Sequence, residues 1–175
     1  MLHSFFVWSV ALSLCVATQG AVAADPSLQD LQVIGRALSF KEGAKRTTLS
    51  LAMVYDGTSA RSQGEMQATL AAVRGGLRVG DAVLKVVAVE QNQFASPSGF
   101  DGILTLSDVD QTRLAGTLNG RGVPCLTLDA QQVKNGACTV AIRSRPSVTI
   151  SINSKNAAAA HVRFATAFIM MVREI

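Results

Sequence analysis

Few side chains in this chain are equipped for chemistry. Its histidines are His3 and His161, and its cysteines are Cys15, Cys125 and Cys138. His3 lies in an apolar leader, so a nucleophile–base pair would have to be built on His161. That residue stands between Ala160 and Val162 in an alanine-rich stretch. A helical histidine there is expected to pack or to face solvent rather than to act as a base. Zinc chemistry needs four ligands at short spacings, and the two later cysteines form no C-x-x-C. Asp108 and Asp110 form a D-x-D ahead of a helical pattern, where either carboxylate is better used as a cap than as a metal ligand. The run RGGLRVGD, Arg74 to Asp81, is rich in glycine but follows a helix pattern and precedes a strand. A phosphate loop has the reverse order, so the run reads as a turn. No catalytic, cofactor or metal residue is expected, and the reading is non-enzymatic.

A second polar cluster lies in VTISINSKNAAAAHVRF, Val148 to Phe164. Val148, Ile150 and Ile152 alternate as in a strand, and the alanines after Asn153 read as a helix. Free N–H groups at a helix start attract anions, and Lys155 could meet one. Asn and Ser are also the preferred caps of that start. The capping reading, on Asn153 and Ser154, is favoured.

Lys and Arg number 16 and Asp and Glu 12, a net charge of +4. The basic residues are scattered among few aromatics, which does not argue for nucleic acid. The first 24 residues, MLHSFFVWSVALSLCVATQGAVAA, contain no Asp, Glu, Lys or Arg. An apolar run from about Phe5 to Ala17 is followed by Ala21-Val22-Ala23, the layout of a cleaved secretory signal with an A-x-A site. The alternative is an uncleaved anchor, for which the run is short against the roughly 20 residues of a membrane span. Cys15 follows Leu14 rather than a small residue, so lipoprotein processing is not expected. Cleavage leaves residues 25–175 as one domain in the periplasm. Cys125 and Cys138 remain, an even pair in an exported chain, which suggests a disulfide. It would close a loop of about 14 residues and contribute roughly 3 kcal/mol. The alternative is two buried thiols.

Periodicity predicts a helix over Asp30 to Glu42, with Leu31, Ile34 and Leu38 on its inner face and Val33 at the margin of that face. The loop after it carries Lys45 and Arg46. A strand over Thr47 to Tyr55 follows, then a helix over Gln63 to Arg74, ended by Gly75-Gly76. Further strands are expected at Ala82 to Val89, Phe100 to Leu106 and Val123 to Leu128, with a helix over Asp108 to Asn119. Strands around Cys138 to Ile142 and Val148 to Ile152 precede a closing helix from Ser154 to Arg173. Such alternation predicts an α/β fold: a single domain with a mainly parallel sheet, flanking helices and an antiparallel C-terminal element.

The segments FDGILTLSDVDQTRLAGTLNGRGVPCLTLDA, NGACTVAI and VTISINSKNAAAAHVRF follow one another from Phe100. Their series is a strand, a helix, a strand ending in Cys125-Leu126-Thr127-Leu128, a turn at Asn135-Gly136-Ala137-Cys138, and Ile152-Asn153 before Ala157 to Ala160. It resembles the YfiR family of periplasmic regulators over Phe100 to Ile175. The resemblance implies a small α/β domain, often dimeric, that binds the periplasmic part of an inner-membrane diguanylate cyclase. It implies repression of cyclic-di-GMP synthesis and so of biofilm formation. It also implies stabilising disulfides, with Cys125 and Cys138 where the family's second one falls. The N-terminal half departs from the pattern. ALSFKEGAKR stands where the family has an aromatic run ending in a "vEWP"-like signature, and the family's first cysteine pair has no counterpart.

The expectation is therefore a non-catalytic periplasmic regulator that binds and represses a membrane-bound sensor, with no cofactor. The alternative is a periplasmic small-ligand-binding domain, its pocket lined by loops after Tyr55, Leu106 and Leu128. The closing helix is apolar on several faces, so Val162, Phe164, Phe168 and Met171 are expected in the core or in a homodimer contact.

Overall fold

The computed structural model describes residues 25–44 and 47–175. The expected leader, residues 1–24, and the Lys45-Arg46 pair lie outside the described residues. Helix α1 (Leu28–Ser39) forms where the apolar period places Leu31, Ile34 and Leu38 on one buried face. Ser27 and Asp30 make a reciprocal capping box: Asp30 N–H donates to Ser27 Oγ at 3.2 Å, and Ser27 N–H donates to Asp30 Oδ2 at 2.9 Å. The helix then lies across one sheet face, in contact with elements near both edges.

Strands β1 (Thr48–Tyr55), β2 (Leu77–Val79), β3 (Ala82–Glu90), β4 (Gly102–Thr105), β5 (Cys125–Thr127), β6 (Val140–Arg143), β7 (Thr149–Ile152) and β8 (Arg173–Glu174) form one sheet. Their spatial order is β2-β3-β1-β4-β5-β6-β7-β8. The run β3-β1-β4-β5-β6 is parallel. An antiparallel strand flanks it on each side: β2 beside β3, and β7 beside β6. The mainly parallel α/β fold with an antiparallel C-terminal element is the one that the alternation of patterns predicts. The RGGLRVGD run is more than a turn, since its Leu77-Arg78-Val79 forms an edge strand folded back on β3.

Period-2 alternation splits the side chains between two cores. Leu49, Leu51 and Met53 of β1 join Leu84, Leu104, Leu126, Val140 and Ile152 beneath α1. Ala52, Val54, Ile103 and Cys125 meet Leu114 and Leu118 of α3 (Gln111–Leu118) and Val133 of α4 (Ala130–Lys134) on the other face. Close approach sets two glycines where the first helix meets the sheet, Gly35 in the helix and Gly102 beneath it. A Cβ on Gly102 would stand 2.5 Å from Leu38 Cδ2, and one on Gly35 would stand 2.8 Å from Val79 Cγ2.

The closing segment differs from the expected helix. It is divided into α5 (Ser154–Ala159), α6 (Thr166–Ile169) and β8. The break lies at His161, which is left-handed at φ 56°. Val162 N–H donates to Ala157 O and His161 N–H to Ala158 O, at 2.8 and 3.0 Å, the bond pair of a Schellman stop. Beyond it Phe164 bridges to Lys41, and Ala165 N–H donates to Phe40 O at 2.8 Å. Tertiary pairing with the end of α1 thus replaces helix continuation. Val162, Phe164 and Phe168 are buried, with Phe168 stacked on Phe40 at 5.5 Å. Met171 is 64% exposed and lies outside the core, one of the two placements expected for it, together with its exposed neighbours Ile169 and Met170.

Candidate functional site

In a sheet of this order the connections after β1 and after β4 run in opposite directions, towards β3 and towards β5. The chain passes from β1 to β3 on one side, then returns across to β4 on the other. The carboxyl ends of β1 and β4 therefore flank a switch point, the usual place for a ligand crevice in open α/β sheets. The loops after Tyr55, Leu106 and Leu128 do gather along this edge of the sheet.

Helix α2 (Ala60–Ala72) starts from the first of these loops, with the Ser59 hydroxyl accepting Ser62 N–H at 3.2 Å. Its first turns bring Glu65 to the switch point, 5% exposed. The Glu65 carboxylate accepts Ser107 N–H at 2.9 Å, the Ser107 hydroxyl at 2.6 Å and Arg61 Nε–H at 3.3 Å. Asp108 next to it is left-handed at φ 63° and its carboxylate accepts the Ser59 hydroxyl at 2.6 Å. Asp110, not Asp108, caps α3, accepting Thr112 N–H and Arg113 N–H at 2.9 and 3.1 Å. The backbone N–H and hydroxyl of Thr58 donate to Asp56 and hold its carboxyl below the ordinary carboxylate value.

Gln132 of α4 closes the crevice. The hydroxyls of Thr105 and Thr127 both donate to its Oε1, the second at 2.7 Å, and its Nε2 donates to Leu106 O at 3.1 Å. These hydrogen bonds consume the polar groups that would meet a ligand. The remaining crevice, lined by Glu65, Ser107, Asp129, Gln132 and the buried Pro26, measures about 20 Å³, room for about one water molecule.

Beside it the same edge opens widely. A groove of about 700 Å³ shares Leu128 and Asp129 with the crevice and continues over β6, β7 and β8. Arg61, Lys134, Arg143 and Arg173 line it, with Thr149 and Ser151 on its floor. Sheet register puts Ala141, Ser151 and Arg173 in one row and Arg143 with Thr149 in the next, all on the face that α4 leaves uncovered.

The residues singled out in the sequence fall elsewhere. Cys125 and Cys138 form a disulfide with Cα atoms 4.5 Å apart, buried in the second core. Asn153 is the N-cap of α5, its side chain accepting Asn156 N–H at 3.1 Å. Ser154 stands one residue inside the helix and gives its N–H and hydroxyl to Glu174, at 2.9 and 2.7 Å. Asn156 has a larger part than its spacing suggests: its Nδ2 donates to the carbonyls of Val133, Gly136 and Cys138 at 3.1, 3.0 and 2.8 Å. His161 is exposed and sits at a helix end rather than mid-helix. Among the described residues no group of three or more His, Cys, Asp or Glu is placed to hold a metal ion. No described helix is long and apolar enough to cross a membrane. Glu65 and Gln132 went unnoticed in the sequence because each is one polar residue inside an otherwise ordinary helical stretch.

No family model matches the chain, and no curated protein matches it. Among solved structures it is similar to the ABC domain from Streptococcus pneumonia in complex with L-Trp, with a TM-score of 0.56 and 12% identity. The likeness covers 86% of this chain and 60% of that one. At this identity it speaks to the fold: a mixed α/β domain with a mostly parallel sheet and flanking helices.

Proposed function

We propose that this chain is a non-catalytic periplasmic binding protein that docks on a membrane-bound sensor and holds it inactive. A diguanylate cyclase is the sensor class that the resemblance of Phe100 to Ile175 implies. The observation that supports docking is the contrast along the carboxyl edge. The crevice at the switch point is filled by its own hydrogen bonds, at about 20 Å³, while the adjacent groove is open at about 700 Å³. An open groove with basic side chains along it suits a protein surface better than an enclosed small molecule, which is normally buried over most of its area. The test is crosslinking of the exported protein in cells, followed by purification from the membrane fraction. A crosslinked inner-membrane protein, with cyclic-di-GMP and surface attachment rising on deletion, is the expected result. No crosslinked partner and no change in either readout would sink the reading.

A second reading has one observation in its favour. The solved structure that shares the fold holds L-Trp, and ligands in open α/β sheets sit at the edge where the crevice lies. Binding of a small amphipathic solute to the native state would raise the melting temperature. A thermal-shift series with amino acids and related solutes checks this, and a flat response counts against it.

A further inference from the structure

We infer that the groove over β6, β7 and β8 receives an acidic, extended segment of a partner protein, its carboxylates pairing with Lys134, Arg143 and Arg173. The inference rests on the docking reading above and names the chemistry of the docked surface. Three observations carry it. First, these three cations are exposed, and none has a hydrogen-bond or ion-pair partner among the described residues. Arg61, on the same rim, is held by Glu65. Asp129 is the only acidic side chain in the lining, and it is occupied as the cap of α4, accepting Gln131 N–H at 2.8 Å. The groove therefore carries an excess of positive charge, three unpaired cations against the one side-chain carboxylate of Asp129.

Second, the cations are dispersed. Arg143 and Arg173 lie two strands and one row apart on the same face. Strand and residue spacings put their Cα atoms roughly 12 Å apart. An extended chain advances about 3.3 Å per residue and shows alternate side chains on one face, so carboxylates four residues apart would reach both. A single phosphate would instead need donors that converge on one point. Third, the Asp129 side chain takes up Gln131 N–H at the start of α4, so that N–H is not offered to a compact anion. Its floor offers the Thr149 and Ser151 hydroxyls beside the apolar Ala141 and Ile142, which fits an extended segment laid across the sheet.

The experiment uses the full mature chain, fluorescein-labelled hexaglutamate as probe, hexaglutamine as neutral control and tripolyphosphate as competitor, read by fluorescence anisotropy. Hexaglutamate is expected to bind, hexaglutamine not to, and added salt to weaken binding steeply. The double variant Arg143→Glu/Arg173→Glu changes two exposed positions, so its melting temperature should be unchanged, and it should bind hexaglutamate roughly tenfold more weakly or worse. Absent binding, equal binding of hexaglutamine or binding indifferent to the double variant overturns the inference. Tripolyphosphate binding more tightly than the peptide overturns it in favour of a phosphate ligand. The same variant separates the two readings in the crosslinking experiment. If wild type and variant capture the partner equally, docking stands and the groove is not its surface. If wild type captures nothing, docking itself fails.

Discussion

At the scale of single residues, Asn156 joins parts of the chain that are otherwise separate. Its amide donates to three carbonyls in the connection between α4 and β6, while its backbone N–H is taken by Asn153. Replacing it by Ala leaves those carbonyls to find water in a half-buried site. Asn156→Ala should cost about 2–3 kcal/mol in urea unfolding. Asn156→Asp should cost more, since it sets an anion against three carbonyl oxygens. A loss under about 0.5 kcal/mol for Ala would show that the connection is held by other means. His161 makes the opposite case. It carries a left-handed φ of 56° that an L-residue adopts at a cost of roughly 1–2 kcal/mol. His161→Gly should therefore leave stability unchanged or raise it by up to about 1 kcal/mol. If the segment continued as a helix, the same change would lower stability by about 1 kcal/mol. Thermal and urea midpoints of this one variant distinguish the two backbones.

At the scale of elements, the long periodic segments were legible and the short ones were not. Leu31, Ile34 and Leu38 mark α1 because three buried positions at helical spacing leave little choice. A run of apolar and β-branched residues likewise marks β1 and β3. By contrast β2 is three residues and α4 is five. Such pieces are fixed by pairing with distant chain, which local sequence does not carry. The closing segment was misread for a related reason. Its alanines favour a helix, no glycine announces the stop at His161, and the pairing of Phe164 with Lys41 is a tertiary event. The groove escaped notice because Lys134, Arg143 and Arg173 belong to three elements and meet only through sheet register and the packing of α4 on β6. The misreading leaves a clear contrast to measure. Phe168 is 1% exposed, and truncation to Ala should cost about 3–5 kcal/mol. Met171→Ala, on the same segment, should change stability by less than about 0.5 kcal/mol. Equal losses at both positions would return Met171 to the core face.

At the scale of the molecule, Asp30 ties the first helix to the far end of the parallel sheet. Its carboxylate accepts Ser144 N–H at 3.1 Å, across 114 residues of chain. Burial pushes its carboxyl up, but hydrogen bonds from Ser144 and Ser27 together outweigh burial and hold it below the ordinary 3.8. A carboxyl lowered in the native state adds stability that is fully present above the unfolded value and fades as pH falls through the native one. Stability should therefore drop as pH goes below about 4, and Asp30→Asn should flatten that part of the profile. Urea midpoints from pH 6 to pH 2 would check it, and parallel profiles for the two proteins would count against it. The placement of α1 has a further consequence, in time rather than in energy. Its seat includes β2 and β6, so a helix written at the start of the domain has no complete docking surface until Ser144 has emerged. Contacts this distant in sequence are slow to close. A chain emerging from its amino end would present Leu31, Ile34 and Leu38 to solvent well before anything could cover them. That interval, rather than the finished fold, is when the protein is most open to chaperones.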